Sequence, residues 1–219
     1  MSQPMTVPAE LISSAEKRWL ESWTAGPTED PGRCLLEGEL APDCTLLDHT
    51  GASRRLSEFW TTGAALVLFW RHFGCGCGVA RAERLKAECA QYQEAGLELV
   101  IVAQGEPPRA AAYRDEHELP CPVLCDPDGT IYRAYGIGHW QVERVLFDAP
   151  AEYWSHPRDL GVAFQDARRA GGRPPVDDPW RAVAEFVVGG DGRIRLTYAY
   201  QHCEDFPEPR VLTTAARLS

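Results

Sequence analysis

The chain has 219 residues, of which 44% are hydrophobic, which is enough for one well-buried domain with some decoration. Its formal net charge of −10 argues against sequence-independent binding to nucleic acid or to anionic membrane surfaces. Because no segment approaches the roughly 20 apolar residues of a membrane span, and residues 1–20 lack the pattern of a secretory signal, we expect a cytoplasmic protein whose partners are small molecules or other proteins.

The N-terminal segment has the spacing of an amphipathic helix. Leu11, Ala15, Trp19 and Trp23 lie four residues apart within residues 8–25 and share one helical face. Glycine and proline follow at the end of this segment and predict that the helix stops there. We therefore interpret residues 1–35 as a helical extension, packed on the main domain as an appendage.

From residue 36 onwards, short strands alternate with helices. The predicted elements are a strand and turn at 44–56, a buried strand at 64–70, a helix at 79–96, a strand at 97–103, a helix at 107–119, a short strand and turn at 122–129, and a helical turn at 130–136. This order predicts an α/β fold in which a central, partly parallel sheet is flanked by helices, with right-handed crossovers.

The last third of the chain begins with an irregular stretch. We interpret residues 137–180 as an insertion with one helix at about 158–170. Residues 184–200 form two β-rich runs joined by a glycine-and-aspartate turn, which predicts a hairpin, and a last helix is predicted at 208–218. Residues 36–219 are therefore expected to be one domain that carries the insertion before its last hairpin.

Two cysteines lie between a predicted strand and a predicted helix, in the stretch LVLFWRHFGCGCGVARAERL at 66–85. Backbone N–H groups and the positive end of a helix dipole favour a thiolate at such a junction. Arg71 and His72 are expected to add positive potential. We predict that Cys75 is the nucleophile and that its sulfur and that of Cys77 are exposed together at the open edge of the sheet.

The spacing of the two cysteines suggests redox chemistry. A disulfide between residues one apart requires α-carbons within roughly 7 Å, and Gly76, lacking a β-carbon, allows the compact conformations that this needs. Such a strained disulfide is more oxidising than a relaxed structural one. We therefore predict that Cys77 resolves the intermediate formed on Cys75.

Four blocks of the chain resemble, in order, those of the thioredoxin-fold peroxiredoxins, the alkyl hydroperoxide reductase and thiol-specific antioxidant family. The resemblance covers about residues 38–218 and is strong in RHFGC at 71–75, which is similar to the peroxiredoxin-like branch; the blocks are 41–60, 66–85, 97–138 and 184–212. It implies a thioredoxin-like fold and a thiol-disulfide oxidoreductase or peroxiredoxin-like antioxidant protein. A peroxide or disulfide would be the substrate, a cellular thiol the reductant, and no organic cofactor would be required; a homodimer is one option for its assembly.

The chain departs from that family at three positions. The second cysteine of the branch would fall at Gly78, so that the pair here is Cys-x-Cys. Typical peroxidases of the family have a threonine where this chain has His72, and an arginine where it has Ala184, with Arg181 the nearest basic residue.

Other thiols leave a second class of function open. Cys203 follows the predicted hairpin and is a candidate third thiol, resolving Cys75 or binding a metal together with His202. Cys75, Cys77 and Cys203, with Cys125 or a histidine as fourth ligand, would suit zinc or an iron–sulfur cluster. Cys121 and Cys89 are interpreted as packing residues, and a scaffold with unused cysteines is the third alternative.

Overall fold

The computed structural model of the protein describes residues 9–145, 156–172 and 174–217. Within these residues lie seven strands, seven α-helices and one 3-10 helix. The strands are β1 (Thr45–Asp48), β2 (Ser53–Arg55), β3 (Ala64–Phe69), β4 (Leu97–Ala103), β5 (Val123–Cys125), β6 (Ala184–Val188) and β7 (Ile194–Ala199). The helices are α1 (Ala9–Ala25), the 3-10 helix Leu56–Trp60, α2 (Gly76–Glu94), α3 (Pro107–Glu116), α4 (Thr130–Ala134), α5 (Val142–Val145), α6 (Pro157–Ala170) and α7 (Pro209–Arg217).

The seven strands form one mixed sheet in the order β2-β1-β5-β4-β3-β6-β7. β3, β4 and β5 are parallel at its centre, and the remaining pairs are antiparallel. β3 and β4 pair from Ala64 opposite Leu97 to Phe69 opposite Val102. β3 is a continuous apolar run, and β4 is apolar apart from the exposed Glu98 near its start, because helices cover both faces of the sheet.

Alternate side chains of β3 contribute to two hydrophobic cores. Leu66 and Leu68 face the core that contains residues of α2, α3 and α7. Val67 and Phe69 face the opposite core, which contains residues of the 3-10 helix and α4. The period of two along a strand places these side chains on opposite faces, so the sheet is the middle layer of three.

The structure confirms most of the predicted elements, including the helix near residue 158 and the last hairpin. Two details differ. A second strand, β2, follows the turn after β1, and α2 begins at Gly76, three residues before the predicted start. Cys75 is therefore the residue that caps α2, and Cys77 lies in its first turn.

The N-terminal helix packs against the helix of the 137–180 region. Trp19 and Trp23 of α1 form a small third core with Trp180, against which Leu160 and Phe164 of α6 pack. No helix in the described ranges is both long enough and apolar enough to pass through a lipid bilayer.

Candidate active site

The sheet topology brings two distant cysteines to the same edge. β3 and β7 run in the same direction because each is antiparallel to β6. Cys75 follows the end of β3 and Cys203 follows the end of β7. The segments that leave these strands therefore emerge at one edge of the sheet, where the N-terminus of α2 also lies.

Three thiols meet at this edge. The sulfur atoms of Cys75, Cys77 and Cys203 all lie within 4.8 Å of one another. The backbone N–H of Cys75 donates to the carbonyl of His72 (3.0 Å), and that of Gly78 donates to the carbonyl of Cys75 (3.2 Å), so the first turn of α2 holds Cys75 in place.

A buried guanidinium group contacts two of the sulfurs. Nη1 of Arg71 donates to Sγ of Cys75 at 3.2 Å and to Sγ of Cys203 at 3.1 Å. Its Nη2 donates to the carbonyl of Pro179. Burial acts to lower the pKa of Arg71, but the adjacent Cys75, Cys203 and Cys77 outweigh this and raise the pKa above its ordinary value, so the group stays charged.

This arrangement assigns different protonation states to the three sulfurs. Hydrogen bonds from the Cys203 and Cys77 thiols, together with the charge of Arg71, hold the pKa of Cys75 well below its ordinary value, although burial opposes them. The pKa of Cys77 is raised, chiefly by its hydrogen bond to Cys203 and then by its hydrogen bond to Cys75, and the pKa of Cys203 is raised chiefly by its hydrogen bond to Cys75. Cys75 is thus the thiolate and the other two are its S–H donors.

The expected positive contribution of His72 is wrong. His72 is buried, and desolvation, as the largest cause, lowers its pKa to about 4. The imidazole is therefore neutral at pH 7, and within the described residues its Nδ1 has no hydrogen-bond partner. Arg71 is the charged group that contacts Cys75 at this pH.

The expectation of exposed sulfurs is also wrong. Cys75 is 8% exposed and Cys77 is 6% exposed, so neither residue lies on the open surface. Both, together with Cys203 and Arg71, line a cavity of about 300 Å³. A substrate must therefore enter this cavity to meet the thiolate.

Residues that the sequence interpretation did not include form the wall of the cavity. Trp19 and Trp23 of α1 and Phe164 and Arg168 of α6 line it. The indole rings of Trp19 and Trp23 stack at 5.2 Å. The spacing of Trp19 and Trp23 predicted one face of a helix, but it did not indicate that this face lies against the cysteines. Because both side chains line the cavity, the N-terminal extension is part of the site and not an appendage.

Packing below the cysteine turn constrains position 78. A β-carbon added at Gly78 would lie 2.8 Å from Oη of Tyr113 and 2.9 Å from Nε1 of Trp70. These two side chains are hydrogen-bonded to each other, Trp70 donating to Tyr113 at 3.3 Å. A side chain at position 78, where the second cysteine of the family's usual motif would fall, therefore requires Trp70, Tyr113 or α2 to shift, whereas Cys77 lines the cavity.

A buried ionic network anchors the start of α2. Arg81 donates to Glu185 of β6 and to Glu88 of α2, at 2.8 Å in each case. The hydroxyl of Tyr200, which follows β7, donates to Glu185. The network links α2 to the hairpin that leads into Cys203, so it fixes the cysteines of the two segments relative to each other.

The remaining sequence candidates lie elsewhere. Cys125 belongs to β5, where burial raises its pKa to about 12, and it is not in the three-thiol group, so its assignment as a fourth metal ligand is wrong. Cys121 is buried and Cys89 packs at the margin of the same core, as expected. Arg181 pairs with Asp178 at 3.3 Å and does not line the thiol cavity.

The chain also matches a known family. Residues 38–153, more than half of the chain, match the model of the AhpC/TSA family. The thioredoxin-like protein AAED1, chloroplastic, of Arabidopsis thaliana is 29% identical over 172 residues, which cover 76% of this chain and 66% of that protein. A relative from Mycobacterium tuberculosis is 28% identical over 102 residues, covering 47% of this chain and 64% of its own length. The chain thus spans slightly less than two thirds of the length of these curated relatives.

Solved structures share the architecture. Peroxidoxin BcpB from Mycobacterium tuberculosis superposes with a TM-score of 0.59 at 14% identity, covering 84% of this chain and 97% of that one. Thiol peroxidase from Chromobacterium violaceum gives 0.56 at 14% identity, covering 85% and 89%. These matches confirm the thioredoxin-like fold that the sequence predicts.

Proposed function

This chain belongs to the AhpC/TSA family, and from that premise we propose that it is a thiol-dependent oxidoreductase whose nucleophile is the Cys75 thiolate. The observation that carries the proposal is the contact between the guanidinium of Arg71 and Sγ of Cys75 at 3.2 Å, at the N-terminus of α2 and beside two S–H donors. A thiolate stabilised in this way is nucleophilic at neutral pH.

The three thiols support a two-step reaction. The Cys75 thiolate attacks one sulfur of a disulfide, forms a mixed disulfide and releases the other sulfur as a thiolate. Cys77 or Cys203, after giving up its proton, then attacks Sγ of Cys75 and releases the second half of the substrate. The chain leaves the reaction as an intramolecular disulfide, two electrons more oxidised than before.

The same sulfurs support reduction of a hydroperoxide. The Cys75 thiolate attacks the distal oxygen, the O–O bond breaks, and the departing alkoxide takes a proton and leaves as an alcohol. Cys75 is now a sulfenic acid, which condenses with the second thiol to form a disulfide and water. Arg71 is placed to stabilise negative charge on the departing oxygen, since it lies against the attacking sulfur.

The cavity favours an organic substrate over hydrogen peroxide. Its volume of about 300 Å³ is at the lower end of the range for small-molecule sites. Trp19, Trp23 and Phe164 give it an apolar wall, and Arg168 adds a cation. An organic disulfide or hydroperoxide fills such a cavity and excludes water from the thiolate.

The proposal includes a cellular thiol as the electron donor. Such a donor attacks the intramolecular disulfide and returns the chain to three thiols, which requires a reducing compartment. The cytoplasm meets this requirement and is the location that we propose. A homodimer stays a prediction of the sequence.

Peptide mapping after one turnover tests the reaction. The reduced full-length protein is mixed with one equivalent of an aryl disulfide or an organic hydroperoxide, and free thiols are then blocked before digestion with trypsin. A loss of two hydrogens within peptide 72–81 identifies a disulfide between Cys75 and Cys77, whereas a link from 72–81 to 196–210 identifies Cys203 as the resolving thiol.

Two variants accompany this experiment. Cys75→Ser is expected to abolish substrate reduction, while Cys89→Ala, which removes a thiol outside the cavity, is expected to leave the rate unchanged. If Cys75→Ser retains the wild-type rate, or if turnover leaves all three thiols free, the proposed function is wrong.

A further inference from the structure

The three-thiol cluster has the composition of a metal site. Within the ranges that the structure describes, Cys75, Cys77 and Cys203 are the only group of three or more candidate ligands whose donor atoms converge. They come from two segments of the chain, the start of α2 and the loop after β7. A two-electron exchange uses two sulfurs, so the third calls for another explanation.

The spacing of the sulfurs suits a thiophilic ion. Zinc–sulfur bonds are about 2.3 Å long, so that tetrahedral ligands lie about 3.8 Å apart. The three sulfurs lie within 4.8 Å of one another, so no pair has to approach by more than about 1 Å to reach this separation. Thiolates select soft and borderline ions over magnesium or calcium.

The charge of the cluster selects a divalent ion. Three thiolates around a divalent cation carry a net charge of −1, and the buried Arg71 brings the total to zero. Arg71 contacts Cys75 and Cys203 at 3.2 and 3.1 Å, and these N–H groups can continue to donate to sulfurs that bind a metal. A monovalent ion in the same place would leave an uncompensated negative charge in a buried position.

The site would be open on one side. Cys125, the thiol that the sequence offered as a fourth ligand, lies outside the group. All three thiols and Arg71 line the cavity of about 300 Å³. A fourth coordination position therefore faces the cavity and takes a water molecule or another small ligand.

We propose that Cys75, Cys77 and Cys203 form a binding site for one thiophilic divalent cation, with Zn²⁺ as the representative ion. Two protons, from Cys77 and Cys203, leave when the ion binds, and no electrons are transferred. This inference goes beyond the proposed redox function and uses the same sulfurs, so that a bound ion blocks the nucleophile and protects it from oxidation.

Cobalt is a spectroscopic probe of this site. The reduced full-length protein is titrated with Co²⁺ in the absence of oxygen. We expect one equivalent to bind, with thiolate-to-cobalt charge transfer in the ultraviolet and the visible bands of a low-symmetry, four-coordinate ion. Zn²⁺ is expected to displace Co²⁺ and remove both sets of bands.

Two single variants locate the ligands. Cys203→Ser is expected to weaken binding by more than about 100-fold, since even the loss of an outer-shell partner costs 10- to 100-fold. Cys125→Ala is expected to bind as the wild type does. The proposal is overturned if the wild type shows no charge-transfer bands, if Cys203→Ser binds equally well, or if Cys125→Ala loses the ion.

A second readout separates this proposal from the redox function. Zn²⁺ is expected to slow the alkylation of Cys75 by iodoacetamide, and a chelator is expected to restore the rate. Substrate reduction is measured on protein from which a chelator has removed metal, and ion binding is measured separately by the Co²⁺ titration. If the protein reduces substrate but binds no Co²⁺, only the metal site is refuted. If the protein binds Co²⁺ but does not reduce substrate, only the redox function is refuted.

Discussion

At the scale of single residues, a buried charged pair contributes to the reactivity of the site, together with the hydrogen bonds from Cys203 and Cys77. Cys75 and Arg71 lie 3.2 Å apart, and among the described residues no carboxylate belongs to the three-thiol group. Because a buried cation without a compensating charge is unfavourable, the positive charge of Arg71 and the negative charge of Cys75 stabilise each other. His72, which the sequence places beside them, is neutral and contributes no charge.

Replacing Arg71 by methionine tests this pair through the pH dependence of alkylation. In the wild type, Cys75 is already a thiolate, so its rate with iodoacetamide is expected to be flat between about pH 7 and 9. In Arg71→Met the pKa of Cys75 is expected to rise, and once it exceeds 7, each further unit of increase lowers the thiolate fraction at pH 7 about tenfold. The rate of the variant should therefore be lower at pH 7 and climb with pH.

Arg71→Lys is the control, because it keeps the positive charge while losing the planar fork of donors. It is expected to restore most of the wild-type profile. Identical pH profiles for the wild type and Arg71→Met would show that the guanidinium does not set the pKa of Cys75.

At the scale of elements, the position of α2 depends on how closely its first turn approaches the side chains of Trp70 and Tyr113. Gly78 allows this approach, since a β-carbon there would collide with both. At Gly76 the same addition meets nothing within 4 Å. The two glycines flank Cys77 in one helical turn, yet only one of them is required by packing.

Alanine at each of these glycines should change stability in opposite directions. Gly78→Ala is expected to lower the free energy of unfolding by about 1–3 kcal/mol, because α2 must shift or the bond from Trp70 to Tyr113 must break. Gly76→Ala is expected to raise it by up to about 1 kcal/mol, because alanine restricts the unfolded chain and favours the helix. Urea unfolding of the two variants measures both effects, and equal effects would contradict the close approach at Gly78.

At the scale of the whole molecule, the N-terminal helix and the 137–180 region together complete the cavity. Trp23 of α1 stacks on Trp180 at 4.9 Å and contacts Phe164 of α6 edge-on. Arg168 of α6 donates to the carbonyl of Gly74 at 2.9 Å, which ties this helix to the cysteine turn. Two segments outside the βαβ centre therefore decide what reaches the thiolate.

Replacing Trp23 by alanine should open the cavity. The variant loses the aromatic contacts with Trp19, Phe164 and Trp180, and its free energy of unfolding is expected to fall by about 3–5 kcal/mol. Cys75 is then expected to react faster with iodoacetamide, while the preference for an organic hydroperoxide over hydrogen peroxide falls. The ratio of the two initial rates, measured on the folded variant, reports this change.

Trp60→Ala is the matched control, since Trp60 is a buried tryptophan of the 3-10 helix and does not line the cavity. It is expected to lose stability without a change in the rate ratio. A rate ratio that responds equally to both substitutions would refute the assignment of α1 to the cavity wall.

The sequence by itself determined the local features of this protein. The alternation of apolar strands and helices, the last hairpin, and the placement of Cys75 and Cys77 at the junction of β3 and α2 all follow from patterns that span fewer than about 20 residues. Such patterns are local because the backbone geometry of a helix or strand sets the spacing of the residues on its buried face. They were therefore sufficient to predict the fold class and to identify Cys75 as the candidate nucleophile.

Only the tertiary structure decided which distant residues share the site. Cys203 reaches Cys75 because β7 runs in the same direction as β3, and this depends on the strand order. The burial of the thiols, the neutral state of His72 and the wall formed by Trp19 and Trp23 depend on segments far apart in the chain. Desolvation and through-space charge act over distances in the folded molecule, and spacing along the sequence does not fix those distances.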